Sequence, residues 1–116
     1  VQGKLLSKYG KSKDGFYNDG INIDSKKGTK VISSKAGKVI YCGNEIPGYG
    51  NLILIKHSKN WITAYAHLNE VFTEKGKKVI KGETIGSVGN TGNVRSPQLH
   101  FEIRKGKESV NPLKLL

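Results

Sequence analysis

The side chains of this sequence best suited to hold a metal ion or move a proton are its three histidines, His57, His67 and His100. Imidazole does either near neutral pH, because its ordinary pKa lies close to 6.5. Each stands in or at the end of an apolar run with strand character: Ile55-Lys-His57, Tyr65-Ala-His-Leu68 and Gln98-Leu-His-Phe-Glu-Ile-Arg104. Period-two alternation on the last run sends Gln98, His100 and Glu102 to one face and Leu99, Phe101 and Ile103 to the other. Hydrolytic zinc chemistry would require about three protein ligands drawn from imidazole and carboxylate, plus an open position where a bound water is acidified. Without a metal, a pair of histidines simply hydrogen-bonds in the wall of a cleft, and His57 reads as structural. Cys42, the single cysteine, permits no intramolecular disulfide and lies in Lys38-Val-Ile-Tyr-Cys-Gly43, so it reads as a small buried core residue rather than a reactive thiol.

These residues must be positioned by strands. Fifteen glycines, three prolines, no methionine and short apolar runs broken by Gly, Asn and Lys predict many brief strands joined by tight turns, an all-β chain. At 116 residues there is room for one domain, residues 1–116, around one core. Asn51 to His57 reads as a central strand. Trp61 to His67 follows after a turn of hairpin length, with Trp61, Thr63, Tyr65 and His67 expected on one face, and Leu68-Asn-Glu70 as a short turn or helical corner. Lys27-Gly-Thr-Lys-Val-Ile32 recurs as Lys75-Gly-Lys-Lys-Val-Ile80, each copy leading to a second β segment ending in Gly-Asn, which implies two related β units. The glycines from Gly76 to Gly92 are too closely spaced for a helix, each costing about 1 kcal/mol relative to Ala. The expected result is a central antiparallel sheet beside a small second sheet built from the repeat units.

Twenty basic residues against nine acidic ones give a formal charge of +11, which implies attraction to polyanions or simply a solvated lysine-rich surface. Only Arg95 and Arg104 are arginines, so sequence-specific nucleic-acid reading, which leans on the bidentate guanidinium fork, is disfavoured. No stretch approaches the roughly 20 apolar residues of a membrane span, and Val1 to Gly10 lacks the apolar region of a signal peptide, so the chain reads as an excised or mature soluble segment.

Blocks distributed along nearly the whole chain carry a family resemblance: Gly3-Lys-Leu-Leu-Ser-Lys-Tyr-Gly10, Gly20-Ile-Asn-Ile23, Gly37-Lys-Val-Ile-Tyr-Cys-Gly43, Tyr49-Gly-Asn-Leu52, Tyr65-Ala-His-Leu68, Gly82-Glu-Thr-Ile-Gly86, Gly89-Asn-Thr-Gly92, Leu99-His-Phe-Glu-Ile103 and Asn111-Pro-Leu113. In order and content they resemble the lysostaphin or LytM zinc murein endopeptidases, which implies the LytM-type antiparallel sandwich or barrel-like fold with a duplicated motif. Active members hold zinc with the His and Asp of a His-x-Gly-x-Asp motif and the second His of a His-Leu-His motif, while the first His of that motif and the His of Tyr-Ala-His-Leu assist catalysis. Here the first motif stands as Asn18-Asp-Gly-Ile-Asn22 and the second as Gln98-Leu-His100. Neutral amide oxygens are poor zinc donors and bring no charge to offset the ion, so the resemblance implies a dismantled metal site at Asn18, Asn22 and His100, no cofactor and no catalysis. Rescue by Asp19 or Asp24 would need ligand placement within about 0.2 Å.

By the same resemblance Asn18, Asn22, Tyr65, His67, Gln98 and His100 are expected around one groove suited to recognising amides of a wall peptide or a protein segment. Within the family, Tyr41-Cys-Gly-Asn44, Pro47-Gly-Tyr-Gly-Asn-Leu-Ile-Leu-Ile-Lys-His57 and Ser109-Val-Asn-Pro-Leu113 look most like the NlpD-type murein hydrolase activators. Those are Gram-negative, usually lipoprotein, envelope proteins that bind N-acetylmuramoyl-L-alanine amidases and relieve their autoinhibition during daughter-cell separation. The resemblance thus implies a periplasmic amidase partner, membrane contact only through a lipid anchor upstream, and no nucleic acid. A peptidoglycan-binding module and a residual zinc endopeptidase are the competing readings.

Overall fold

In the computed structural model, residues 3–12 and 15–115 are described. Twelve strands follow one another: β1 (Leu5–Ser7), β2 (Gly10–Lys11), β3 (Tyr17–Asn18), β4 (Ile21–Asp24), β5 (Lys30–Ile32), β6 (Gly37–Gly43), β7 (Asn51–Lys56), β8 (Trp61–Val71), β9 (Lys78–Val79), β10 (Thr84–Val88), β11 (Gln98–Lys105) and β12 (Glu108–Val110). Short 3₁₀ turns at Ser58–Asn60 and Pro112–Lys114 are the helical elements among the described residues. Ten strands form one sheet in the order β1-β4-β11-β8-β7-β6-β9, with β12 also on β11 and with β10 bridging β8 and β5; β2 and β3 make a separate hairpin. Every pairing is antiparallel. The sheet has free edges at β1 and β9 and does not close into a barrel.

Alternation builds the core. Val39, Ile53, Ile55, Tyr65, Leu99, Phe101 and Ile103 project to one side and pack with Val31, Val79, Ile85 and Val88 of the repeat units. The opposite, outer face of β11 carries His100, Glu102 and Arg104, as the sequence pattern predicts. Cys42 is only half-buried against the core, with its thiol 3.9 Å from the Thr73 carbonyl.

The repeat units interlock rather than forming a sheet of their own. Gly28 and Gly76 occupy equivalent turns at φ 92° and 94°. The amide of Gly28 donates to the Val88 carbonyl and that of Val88 to Thr29; likewise Gly76 donates to Val39 and Val39 to Lys77. Each unit's first strand therefore pairs with the other unit's second, β5 with β10 and β9 with β6. The expected second sheet is absorbed into the main one because β10 also pairs with β8.

β8 departs from simple alternation. It runs without a break through Leu68-Asn-Glu70, where a turn or helical corner was expected, because its second half pairs with β10 (Val71 opposite Gly86, Leu68 opposite Val88). Opposite β7 its register slips by one residue: Tyr65 faces Ile53 but Leu68, not His67, faces Asn51. The extra residue is a β-bulge, and His67 sits in it at φ 63°. Left-handed backbone at a non-glycine residue costs on the order of 1 kcal/mol, so the surrounding structure must hold it there.

Candidate functional site

Asn18 of β3, Asn22 of β4, and Gln98 and His100 of β11 come together on the outer face, joined by His67 from the bulge. They line a depression of about 500 Å³ with Tyr49, Asp19 and Glu102. The register explains the meeting: Asn22 is directly opposite His100, and His100 is directly opposite Ala66, the neighbour of His67. The His67 and His100 ring centroids are 5.9 Å apart.

Tyr65, expected in this group, is elsewhere. Its ring is 1% exposed and packs on Phe101 in the core, 5.4 Å between centroids, and its hydroxyl bonds Thr63 and Ser34. The bulge is the reason: the extra residue turns His67 to the face opposite that of Tyr65, so the parity linking them fails. His57 is structural, with Nδ1 2.7 Å from the Ala36 carbonyl and Nε2 2.8 Å from Thr63 Oγ1.

The site is a directional chain of hydrogen bonds. The Gly20 amide donates to Asn18 Oδ1 over 3.1 Å, which fixes that amide's orientation and leaves Asn18 Nδ2 to donate to Asn22 Oδ1 (3.0 Å) and Ser7 Oγ (2.9 Å). Asn22 Nδ2 then donates to Gln98 Oε1 over 2.8 Å, and Gln98 Nε2 to the Ser96 carbonyl. His100 is held at both nitrogens, Nδ1 3.0 Å from Asn22 Oδ1 and Nε2 2.7 Å from Glu102 Oε2. Beneath it, the 2% exposed Glu102 also accepts from Tyr49 Oη (2.9 Å) and Arg104 Nε (2.7 Å). Burial pushes the Glu102 carboxyl up, but the bonds from His100 and Arg104 outweigh it and hold it below the usual range. Burial, together with the charge of Glu102, pushes the Tyr49 phenol up to about 12, so it remains a donor.

His67 behaves differently. Its Nδ1 is 2.8 Å from the Thr91 carbonyl, a pure acceptor, so Nδ1 carries the proton and Nε2 is an acceptor with no partner among the described residues. Burial lowers its pKa, with the Thr91 bond working against that shift. The unused capacity of the depression includes one imidazole lone pair on His67, the second N–H of Asn22 and the side-chain amide of Asn93.

This donor set does not fit zinc. Of the three residues that the resemblance sets at the zinc positions, Asn18 and Asn22 are amides, and His100 has both ring nitrogens turned to protein oxygens. Asp19 is engaged by Arg104 (3.6 Å) and Ser109 (3.4 Å), while Asp24 is exposed opposite Gln98. No group of three His, Cys, Asp or Glu side chains able to hold a metal occurs among the described residues.

Tyr49 and Glu102 were not picked out as site residues from the sequence. Glu102 did carry a signal, the alternation that puts it beside His100; Tyr49 carried none, since only the packing of loops reveals it. That wall is close-packed: Gly50 lies against the backbone of Thr91 and Gly92, the His67 amide donates to the Tyr49 carbonyl, and the Asn93 amide donates to Gly48.

The pattern described as Peptidase family M23 matches residues 16–112. Over 104 residues the chain is 46% identical to the cell division protein DipM of Caulobacter vibrioides, covering 90% of this chain and 17% of that protein. It is 43% identical over 116 residues to the murein hydrolase activator NlpD of Escherichia coli, covering 100% of this chain and 30% of that protein. The chain therefore spans less than a third of either relative. Among solved structures, the catalytic domain of the antimicrobial peptidase lysostaphin from Staphylococcus simulans superposes with a TM-score of 0.91 over 97% of this chain and 90% of that one, at 26% identity. The catalytic domain of the prophage-encoded M23 protein EnpA from Enterococcus faecalis gives 0.86 over 93% and 87%, at 31% identity.

Proposed function

The chain belongs to peptidase family M23, and on that premise we propose that it is a non-catalytic LytM domain that binds and activates an N-acetylmuramoyl-L-alanine amidase during cell-wall remodelling and daughter-cell separation. The observation that carries this reading is the hydrogen-bond chain from Asn18 through Asn22 to Gln98 and His100, side chains that would otherwise be free to hold a metal. A relative named murein hydrolase activator and one named cell division protein support the setting. Relatives named lipoproteins support a place in the periplasm or envelope of a Gram-negative bacterium.

The unused Asn22 N–H and His67 Nε2 form a donor and acceptor pair that another amide complements with its own C=O and N–H. A partner side chain of Asn or Gln, or a peptide group, fits that pair; leaving either group buried and unmatched would cost about 1 to 3 kcal/mol. Activation further requires that this contact favour the open amidase over the inhibited one, because only differential affinity shifts a population.

The test is glycan release from labelled peptidoglycan by amidases of the same genome, with and without this domain, and with Gln98→Trp to fill the depression. Stimulation that the tryptophan abolishes is the expected result. If no cognate amidase responds while the domain cosediments with purified wall, the reading gives way to a peptidoglycan-binding module.

A further inference from the structure

The strand register places Lys78, Lys38 and Lys56 directly opposite one another on β9, β6 and β7, with Lys38 the partner of both others. Each alternates with a core residue, Val79, Val39 or Ile55, so all three project from the outer face, and all are exposed. The row continues through Ile62 to Arg104. Like charges directly opposite on a sheet repel. Among the described residues the ion pairs of lysine and arginine join Lys77 to Glu83 and Arg104 to Glu102 and Asp19, and none offsets the three lysines. Lysine on an edge strand guards that edge against pairing with another sheet, which accounts for Lys78 on β9. It does not account for Lys38 and Lys56, whose strands are paired on both sides.

The row also adjoins Lys75-Gly-Lys-Lys-Val-Ile-Lys81, four lysines in seven residues, in which Ile80 is 69% exposed. None of Lys38, Lys56 and Lys78 lines the depression; they stand on open sheet surface. Compact ammonium groups on long flexible stems attract phosphates as point charges without demanding a fixed geometry. An exposed aliphatic side chain among them supplies a small interfacial anchor.

We propose that this corner of the outer face docks on an anionic phospholipid surface, Lys38, Lys56 and Lys78 meeting the headgroup phosphates and Ile80 entering the interface. Such a contact is peripheral and needs no lipid anchor. β11 and β6 are separated by β8 and β7, three strand spacings or about 14 Å, so the lysine corner and the depression are distinct patches of one face. The contact weakens with salt, since its charges lie within a Debye length, about 8 Å at physiological ionic strength, of the phosphates.

The experiment is cosedimentation of the domain with phosphatidylcholine vesicles containing phosphatidylglycerol and with vesicles of phosphatidylcholine alone. Wild type is expected to pellet with the first, in a salt-sensitive manner, and to stay in solution with the second. The pair Lys38→Glu with Lys56→Glu should weaken binding about tenfold or more, Ile80→Ser a few-fold, and the equal charge change Lys4→Glu with Lys8→Glu less than about twofold. Melting curves check that each variant is folded. Equal losses for the two pairs would reduce the effect to net charge and overturn the assignment. So would binding that ignores phosphatidylglycerol, or retention on purified wall without retention on anionic vesicles.

Discussion

Asn22 and His100 face each other across β4 and β11, with Asn22 Oδ1 3.0 Å from His100 Nδ1. Asn and Asp have nearly the same shape, so an Asp at this position would bring a carboxylate to His100 with little change of geometry. Restoring the chemistry should therefore restore the metal. Asn18→His combined with Asn22→Asp is expected to bind zinc at least about 100-fold more tightly than wild type, since even outer-shell partners are worth 10 to 100-fold. Competition with a chromophoric chelator measures it; an affinity unchanged from wild type would mean that the strands no longer hold the three positions at ligand distance.

Glu102 is the buried anchor of the site, accepting from His100, Tyr49 and Arg104. Glu102→Ala should destabilise the fold by about 3 kcal/mol or more, because it strands three buried or half-buried donors. Glu102→Gln should cost less, as it keeps the shape and one acceptor. Chemical denaturation of both variants tests the order; equal effects would point to lost packing as the cause rather than lost hydrogen bonding.

Stability should fall on acidification in two stages. His67 is kept neutral by burial, so its folded pKa lies below its unfolded value near 6.5. The unfolded chain then takes up a proton that the folded one refuses, and stability declines as pH drops from about 6.5 towards the folded value. The lowered Glu102 adds a second loss, beginning near its ordinary 4.5 and completed as pH passes through its folded value. His67→Asn, which offers an N–H to Thr91 and tolerates positive φ, should flatten the first stage and leave the second. Melting temperature against pH for wild type and variant reads this directly.

Where strands run regularly, the sequence was legible. Alternation on β11 separates Gln98, His100 and Glu102 from Leu99, Phe101 and Ile103, and the repeated Lys-Gly-x-Lys-Val-Ile segments mark two related β units, which the structure joins through equivalent turns at Gly28 and Gly76. Legibility ended at the bulge. An extra residue in β8 is invisible to a period-two count, so Tyr65 was assigned the same face as His67 although the slip in register sends them to opposite sides. The lysine row is illegible in the sequence for a related reason: Lys38, Lys56 and Lys78 are distant in sequence, and only the pairing of β9, β6 and β7 sets them side by side.

The wall behind His67 depends on Gly50. It has φ 63°, and a Cβ there would stand 2.4 Å from the Thr91 carbonyl carbon. Gly50→Ala combines a strained backbone with a backbone clash, and should cost about 3 kcal/mol. It should also disturb the Thr91 carbonyl that fixes the His67 tautomer, seen as a shift of the His67 ring resonances. A well-folded Gly50→Ala with unchanged His67 shifts would show that the two loops separate without consequence.

The polarity of the depression can be reversed by one atom. In Asn22→Asp the carboxylate still accepts from Asn18 Nδ2 and lies against His100 Nδ1, as Asn22 Oδ1 does now. The bond to Gln98 is recovered if the Gln98 amide turns over to present its N–H, which exchanges it for the exposed bond to the Ser96 carbonyl. The fold should therefore survive with a change of about 1 kcal/mol or less. What disappears is the Asn22 N–H that opens on the depression, replaced by a negatively charged acceptor. A partner carbonyl seated there would lose its donor and meet a charge, so amidase stimulation should fall by about 10 to 100-fold, corresponding to roughly 1.5 to 3 kcal/mol. Measured in the presence of a chelator, so that stray metal plays no part, the expected outcome is a variant with a near-native melting curve and little stimulating activity. Full stimulation by folded Asn22→Asp would place the partner contact away from Asn22 and remove the amide-to-amide match from the account of recognition.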